Sequence, residues 1–121
     1  MRPTLLVVAL LVAACCRCRI PDGQSGAYSK VACGAVVTAE LPRPAKCFEV
    51  SLLKKSDCEL KVEITCEWEA KPWTRTLKPG EKACYCCEGE KPRIRKVVLR
   101  CLGDHPAGWC IYCATTRDSC P

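Results

Sequence analysis

The sequence has little of what builds a large apolar core or a helix. One Phe and one Met occur among 121 residues, and no stretch repeats apolar residues with helical periodicity over a useful length. A single domain of this size with so thin a core needs stabilisation from another source. Internal repeats and low-complexity segments are also absent. We therefore expect one small folded unit without helices.

Two further absences limit the covalent modifications and the catalytic reactions that the chain can support. The sequence contains no Asn, which excludes N-glycosylation acceptors. Its single histidine, His105, stands in a turn before Pro106, and a general base without a nearby nucleophile is not a catalytic site. We therefore expect neither enzymatic activity nor a cofactor.

One apolar run stands out, at the N-terminus. Residues 5–14 are uncharged and follow the positive Arg2, as in secretory signals. The run is about ten residues long, whereas a membrane-spanning helix needs ~20, so membrane insertion is not expected. The sequence predicts a signal peptide over residues 1–14, with cleavage as late as residue 18, and a secreted, extracellular protein. The letters Val-Ala-Ala-Cys ending at Cys15 also resemble a bacterial lipoprotein box, an alternative in which that cysteine is acylated.

Cysteine is abundant, with fourteen residues in the chain. This content behind a signal peptide predicts a disulfide scaffold formed in an oxidising compartment. The cluster of Cys84, Cys86 and Cys87, with a later C-x-x-C pair, would suit zinc in a reducing cytosol. In a secreted chain we expect disulfides and no metal. An odd number of cysteines after cleavage would leave one thiol for a partner chain.

Alternation of apolar and polar residues predicts two hairpins. Residues 48–52 alternate, a polar turn follows, and residues 60–68 place five side chains on one face, with Trp68 directed towards the core. Residues 94–101 and 108–113, joined by a turn rich in Gly and Pro, predict a second and shorter hairpin.

The remaining segments show weaker patterns. Residues 70–82 contain two prolines and a glycine, which predicts a loop. Residues 15–46 are rich in turn residues, which predicts an irregular N-terminal arm tied down at Cys33. At most one strand is expected there, over residues 31–41.

The cysteine spacing carries a family resemblance. Three motifs follow one another in the second half of the chain: Cys84-x-Cys86-Cys87, Val97-x-Leu99-x-Cys101 and Cys110-x-x-Cys113. With Cys47, Cys58 and Cys66 upstream, this succession resembles the C-terminal cystine-knot domain found in norrin, secreted mucins and von Willebrand factor. The glycoprotein-hormone α subunits are similar over a shorter span. The resemblance implies a small disulfide-rich all-β fold, with two β-hairpin fingers of the cystine-knot cytokine type over residues 47–121.

The resemblance also implies how the cysteines pair. The bonds it implies run from Cys47 to Cys87, from Cys58 to Cys101, and from Cys66 to Cys110 or Cys113. It further implies that Cys86 bridges to a second copy of the chain, which would give a disulfide-linked homodimer. The family's C-x-G-x-C motif is replaced here by Cys66-Glu67-Trp68-Glu69-Ala70, so one disulfide of the knot is missing.

Candidate contact residues come from a basic run and a tryptophan. Trp73 lies between prolines and is a candidate binding anchor, because Trp is enriched at interface hot spots. The basic residues would bind heparan sulfate through Arg–sulfate pairs, or would instead protect an edge strand from aggregation. They are Lys91, Arg93, Arg95, Lys96 and Arg100. The net charge of the full sequence is a moderate +6, and nucleic acid is not an expected partner in an extracellular compartment.

The sequence as a whole favours a secreted signalling ligand, resembling a growth factor or hormone, that binds a cell-surface receptor or another extracellular protein. The alternative is a defensive or venom-type toxin or protease inhibitor on the same disulfide framework. Residues 41–44 are the one candidate for an inhibitory loop. A structural component of mucus or matrix is a third possibility.

Overall fold

The computed structural model describes residues 29–39, 41, 44–89 and 93–121. The predicted signal peptide, its cleavage site and the first part of the predicted arm lie outside these residues. The described chain forms eight strands: β1 (Ser29–Ala32), β2 (Val36–Ala39), β3 (Cys47–Leu52), β4 (Leu60–Cys66), β5 (Trp73–Leu77), β6 (Lys82–Cys86), β7 (Ile94–Cys101) and β8 (Trp109–Arg117). No helix long and apolar enough to span a bilayer is found in these ranges.

The strands form two antiparallel sheets of four. Sheet A has the order β1-β8-β3-β6 and sheet B the order β2-β7-β4-β5. The first strand therefore pairs with the eighth, the second with the seventh, the third with the sixth and the fourth with the fifth. This is one long antiparallel ribbon rolled into a double-sheet sandwich, the topology of a jelly roll. The predicted class, a small disulfide-rich all-β protein, is confirmed.

The core fills the space between the two sheets. Strand β4 shows the cause most clearly, because Leu60, Val62 and Ile64 are buried while the residues between them are half-exposed. Strand β3 contributes Phe48, the one phenylalanine, which has no exposed surface. Strict alternation thus directs one face of each strand inward. The other large side chains that are fully buried are Val50, Leu52, Leu77, Val97 and Leu99.

The two predicted hairpins are not present, although their strands are. Strand β3 pairs with β6 and β8, whereas β4 pairs with β5 and β7, so each predicted hairpin is divided between the sheets. The connection after β3 crosses the end of the sandwich instead of turning back. It is held there because Leu53 N–H donates to the Ile111 carbonyl at 2.8 Å, and the Ser56 hydroxyl accepts from Ile111 N–H at 2.9 Å.

Two further predictions are corrected. Residues 70–82, predicted as a loop, contain β5, an edge strand whose flanking residues Pro72 and Pro79 lie outside its ladder. The predicted irregular arm contains β1 and β2, one strand in each sheet, on either side of the turn at Cys33. The prolines and turn residues lie at the boundaries of these short strands. Because they are so closely spaced, the pattern predicted loop where four or five residues form a strand.

Five disulfides lie wholly within the described residues: Cys33–Cys58, Cys47–Cys86, Cys66–Cys87, Cys84–Cys120 and Cys101–Cys110. Cys113 is also disulfide-bonded. All the implied cysteines are therefore in disulfides, but the implied pairings of Cys47 with Cys87, of Cys58 with Cys101, and of Cys66 with Cys110 or Cys113 are wrong. The cystine-knot assignment is not confirmed by these bonds.

The register of β3 and β6 explains the largest correction. Cys47 lies directly opposite Cys86, with Cα atoms 4.0 Å apart. The next residue, Cys87, points to the other face because successive residues of an extended chain alternate. There it is buried and bonds Cys66 from the opposite sheet. Cys86 is consequently in a disulfide within the chain and is not available for the predicted bridge to a second chain.

Candidate binding surface at one end of the sandwich

Three of the five disulfides within the described residues lie at one end of the sandwich, here called the Trp68 end. It comprises residues 44–46, the β4–β5 connection (67–72), residues 87–89 and 93, and residues 118–121. The bond Cys66–Cys87 joins sheet B to the strand end of sheet A, and Cys84–Cys120 fixes the segment after β8. Backbone hydrogen bonds complete the connections, from Cys87 N–H to the Lys46 carbonyl at 2.9 Å and from Ile94 N–H to the Ala45 carbonyl at 2.9 Å.

Trp68 is the most exposed large apolar residue of the described chain, with 79% of its surface accessible. The prediction that it faces the core is wrong. Strand β4 ends at Cys66, where the pairing with β7 is shifted by a bulge, and Glu69 N–H then donates to the Cys66 carbonyl at 3.2 Å to close a turn. Alternation therefore stops two residues before the tryptophan, which projects from the turn.

The residues on both sides of Trp68 are fixed. Glu67 N–H donates to the Arg93 carbonyl at 2.9 Å, and the Glu67 carboxylate lies 3.8 Å from the Arg93 guanidinium. Glu69 accepts two hydrogen bonds, from the Tyr85 hydroxyl at 3.1 Å and from Glu88 N–H at 3.3 Å. The turn thus presents an apolar side chain on a backbone whose neighbouring side chains are already engaged.

Trp73, predicted as an exposed anchor in a loop, lies instead on β5 and is partly buried. Its ring stacks on that of Tyr85, with centroids 4.7 Å apart and planes inclined by 15°. Because β5 and β6 are the last strands of the two sheets, the stacked pair covers the open side of the core. Burial, followed by the hydrogen bond and the negative charge of Glu69, raises the pKa of Tyr85 above its ordinary value.

The basic run is divided by the fold. Arg100 donates from Nε to Glu63 at 3.2 Å on the outer face of sheet B, and Arg93 is paired with Glu67. Arg95 occupies the bulge of β7, so that it and Lys96 are both exposed. Neither has a carboxylate partner among the described residues. Lys91 lies outside the part of the chain that the structure describes.

Two groups of sulfur atoms lie close enough together to be considered for metal binding. Cys33, Cys58 and Cys101 form one, and Cys47, Cys86 and Cys120 form the other, each with all Sγ atoms within 4.8 Å. All six residues are in disulfides, whereas metal ligation requires thiolates. Neither group combines the cysteines of the C-x-C-C run with the C-x-x-C pair, as the zinc alternative required.

Sequence reasoning missed the exposure of Trp68. One signal for it was in the sequence, since directly after Cys66 the bulky apolar Trp68 stands between two carboxylates, Glu67 and Glu69.

No family model, curated protein or solved structure matches the chain. The fold and the site therefore rest on this chain's own strand pairing and contacts, which give a small disulfide-rich all-β protein. That description is compatible with a secreted ligand or with a toxin-like framework.

Proposed function

We propose that this protein is a secreted ligand that binds an extracellular protein through its Trp68 end. The observation that carries the proposal is the 79% exposure of Trp68 on a turn whose flanking residues are held in place. Exposing an indole to water is unfavourable, and a partner pocket that buried it would recover that free energy. Tryptophan is among the residues most enriched at binding hot spots, where one truncation costs about 2 kcal/mol or more.

The rigidity of the turn supports the same function. Ordering a loop and its side chains on binding costs free energy, and a loop already fixed in its bound shape avoids part of this cost. Here Cys66, two residues before Trp68, is bonded to Cys87, and Glu67 and Glu69 are each engaged in the folded protein. Recognition by this end would therefore depend mainly on burial of the indole.

The charged residues around the turn indicate which charges the partner should carry at the edge of its pocket. The acidic side chains, Glu67 and Glu69, already have partners within the protein. The exposed Lys46 and Lys71 have no carboxylate partner among the described residues. A partner with an apolar pocket bordered by acidic side chains would fit this surface, in keeping with the apolar centre and polar rim of protein interfaces. The proposal includes no covalent dimer through Cys86, because Cys86 is bonded to Cys47.

The test is saturable binding of labelled protein to a panel of animal cell lines, comparing wild type with Trp68→Ala. On a line that binds the wild type, the variant is expected to lose about tenfold or more in affinity. Trp109→Ala is the matched control, since Trp109 is also exposed, at 43%, but begins β8 at the opposite end of the sandwich. Its affinity should change little.

Treatment of the cells separates the kinds of partner. Loss of binding after mild surface proteolysis supports a protein receptor. Loss after heparinase digestion, with Trp68→Ala unaffected and Arg95→Ala/Lys96→Ala impaired, would replace the proposal with sulfated-glycan binding through β7. Equal losses for both tryptophan variants would contradict a site at the Trp68 end.

A further inference from the structure

The structure places disulfides side by side in two locations. In the first, here called the outer sulfur pair, Cys47–Cys86 adjoins Cys84–Cys120, and the Sγ atoms of Cys86 and Cys120 are 3.4 Å apart. In the second, the inner sulfur pair, Cys33–Cys58 adjoins Cys101–Cys110, with the sulfurs of Cys33, Cys58 and Cys101 mutually within 4.8 Å. Neighbouring disulfides can exchange when a thiolate enters one of them.

The two pairs differ in access to solvent. In the outer sulfur pair Cys84, Cys86 and Cys120 are half-exposed, whereas Cys47 has no exposed surface. The strand residues among its members lie on the outer face of sheet A. In the inner sulfur pair three of the four cysteines are buried, and Cys110 has no exposed surface. The backbone of the β7–β8 loop also covers it, since a Cβ at Gly103 would be 3.2 Å from the Cys58 sulfur. An external thiol can therefore approach the outer pair far more readily.

We propose that the outer sulfur pair is a thiol-exchange site, where an external thiolate adds to Cys84 and the exchange is relayed to Cys47. In the first step the thiolate attacks Sγ of Cys84, a mixed disulfide forms there, the Cys84–Cys120 bond breaks, and Cys120 leaves as a thiolate. In the second step the Cys120 thiolate attacks Sγ of Cys86. A Cys86–Cys120 bond forms, the Cys47–Cys86 bond breaks, and Cys47 leaves as a thiolate that takes a proton from water.

The distance between the two disulfides supports the second step. Reacting atoms held about 3–3.5 Å apart are at near-attack separation, and the sulfurs of Cys120 and Cys86 are 3.4 Å apart. The Cys120 sulfur also lies within 4.8 Å of the Cys47 sulfur, to one side of the Cys47–Cys86 axis. The Cys120 thiolate released in the first step must therefore swing into line with that bond before it attacks Cys86. No net oxidation occurs, because one thiol is consumed and one is released. The exchange removes the covalent link between β3 and β6 and moves the link between β6 and the segment after β8 from Cys84 to Cys86. It leaves the added thiol attached to the outer face of sheet A.

The experiment exposes the full, oxidised protein to reduced glutathione and quenches it with N-ethylmaleimide in denaturant, because Cys47 has no exposed surface in the folded protein. Trypsin releases residues 47–54, which contain Cys47 alone, and residues 56–61, which contain Cys58 alone and report on the inner pair. We expect maleimide on Cys47 and glutathione on Cys84. Cleavage by trypsin after Lys82 and by chymotrypsin after Tyr85 isolates Cys84 in a separate peptide. Label on Cys47 should exceed label on Cys58 by about tenfold or more, because buried bonds react only after local opening.

A second readout follows the relay directly. Before exchange, residues 118–121 are linked to residues 83–85 through Cys84, whereas afterwards they are linked to residues 86–93 through Cys86. The double variant Cys84→Ser/Cys120→Ser lacks the entry bond and should show only background label on Cys47. Glutathione on Cys84 with Cys47 unlabelled would overturn the relay, as would undiminished labelling of Cys47 in the double variant. Equal labelling of Cys47 and Cys58 would show general reduction and no site.

Discussion

The pairing of Cys47 with Cys86 gives the sharpest test of the fold. The double variant Cys47→Ser/Cys86→Ser removes one complete disulfide and leaves every other observed bond with both its cysteines. The variant Cys47→Ser/Cys87→Ser, which matches the pairing implied by the family resemblance, instead leaves Cys66 and Cys86 without their observed partners. The two variants contain the same number of cysteines and differ by the position of one serine.

The expected loss of stability can be worked from the connectivity. In the unfolded chain the shortest path between Cys47 and Cys86 runs to Cys66, crosses the bond to Cys87 and returns one residue. Closing a loop of about 21 residues removes unfolded-state entropy worth about 3 kcal/mol in the chain-entropy model. We therefore expect Cys47→Ser/Cys86→Ser to lower the free energy of unfolding by roughly that amount and to contain no titratable thiol from the described residues.

Two measurements decide the outcome. Guanidinium unfolding with disulfides intact gives the free-energy change, and thiol titration in denaturant counts the free cysteines. The variant Cys47→Ser/Cys87→Ser should show two free thiols or a new bond between Cys66 and Cys86, and a larger loss of stability. If this second variant were instead the more stable one and free of thiols, then Cys47 would pair with Cys87 and the register of β3 and β6 would be wrong.

Two further variants test local packing and ionisation. Gly108→Ala should destabilise the fold by about 1–3 kcal/mol, because its Cβ would lie within 2.9 Å of atoms of His105, Asp57 and Cys33. An unchanged Tm for Gly108→Ala in thermal unfolding would refute the packing argument. The raised pKa of Tyr85 means that the folded state favours the neutral phenol, so its contribution to stability is complete below the ordinary pKa of 10.0 and is lost as pH rises through the folded-state value. Tyr85→Phe should therefore reduce the fall in Tm above about pH 10, whereas a fall as steep as in the wild type would exclude Tyr85 as a contributor.

The sequence allowed strands to be predicted where one face is buried along their whole length. The alternation from Leu60 to Cys66 and the run from Ile94 to Cys101 gave two strands almost at their observed bounds. The short strands β1, β2 and β5 could not be found in this way, because four or five residues bordered by Pro or Gly give too little periodicity. Strand β5 also lies at the edge of its sheet, with three of its five residues exposed.

The local sequence pattern could not predict which strands pair with one another or which cysteines form disulfides. Alternation specifies which face a residue occupies, but the partner strand depends on the topology of the whole chain. Cys86 and Cys87 illustrate this, since one position in sequence separates a cysteine on the outer face from one in the core. Spacing suggested two hairpins, and two separate sheets satisfy the same spacing. Trp68 is exposed because β4 ends at Cys66. The sequence pattern predicted a strand two residues longer, which would have included the tryptophan.

The rolled-ribbon topology has a consequence for biosynthesis. Because β1 pairs with β8 and β2 with β7, sheet A cannot be completed before β8 has been synthesised, and sheet B cannot be completed before β7. Cys66–Cys87 spans 21 residues and can close on a partial chain, whereas Cys84–Cys120 must await the last segment. Folds dominated by such distant pairings form slowly, so the nascent protein would expose unpaired strand edges and the Cys84 thiol until the segment after β8 has been synthesised.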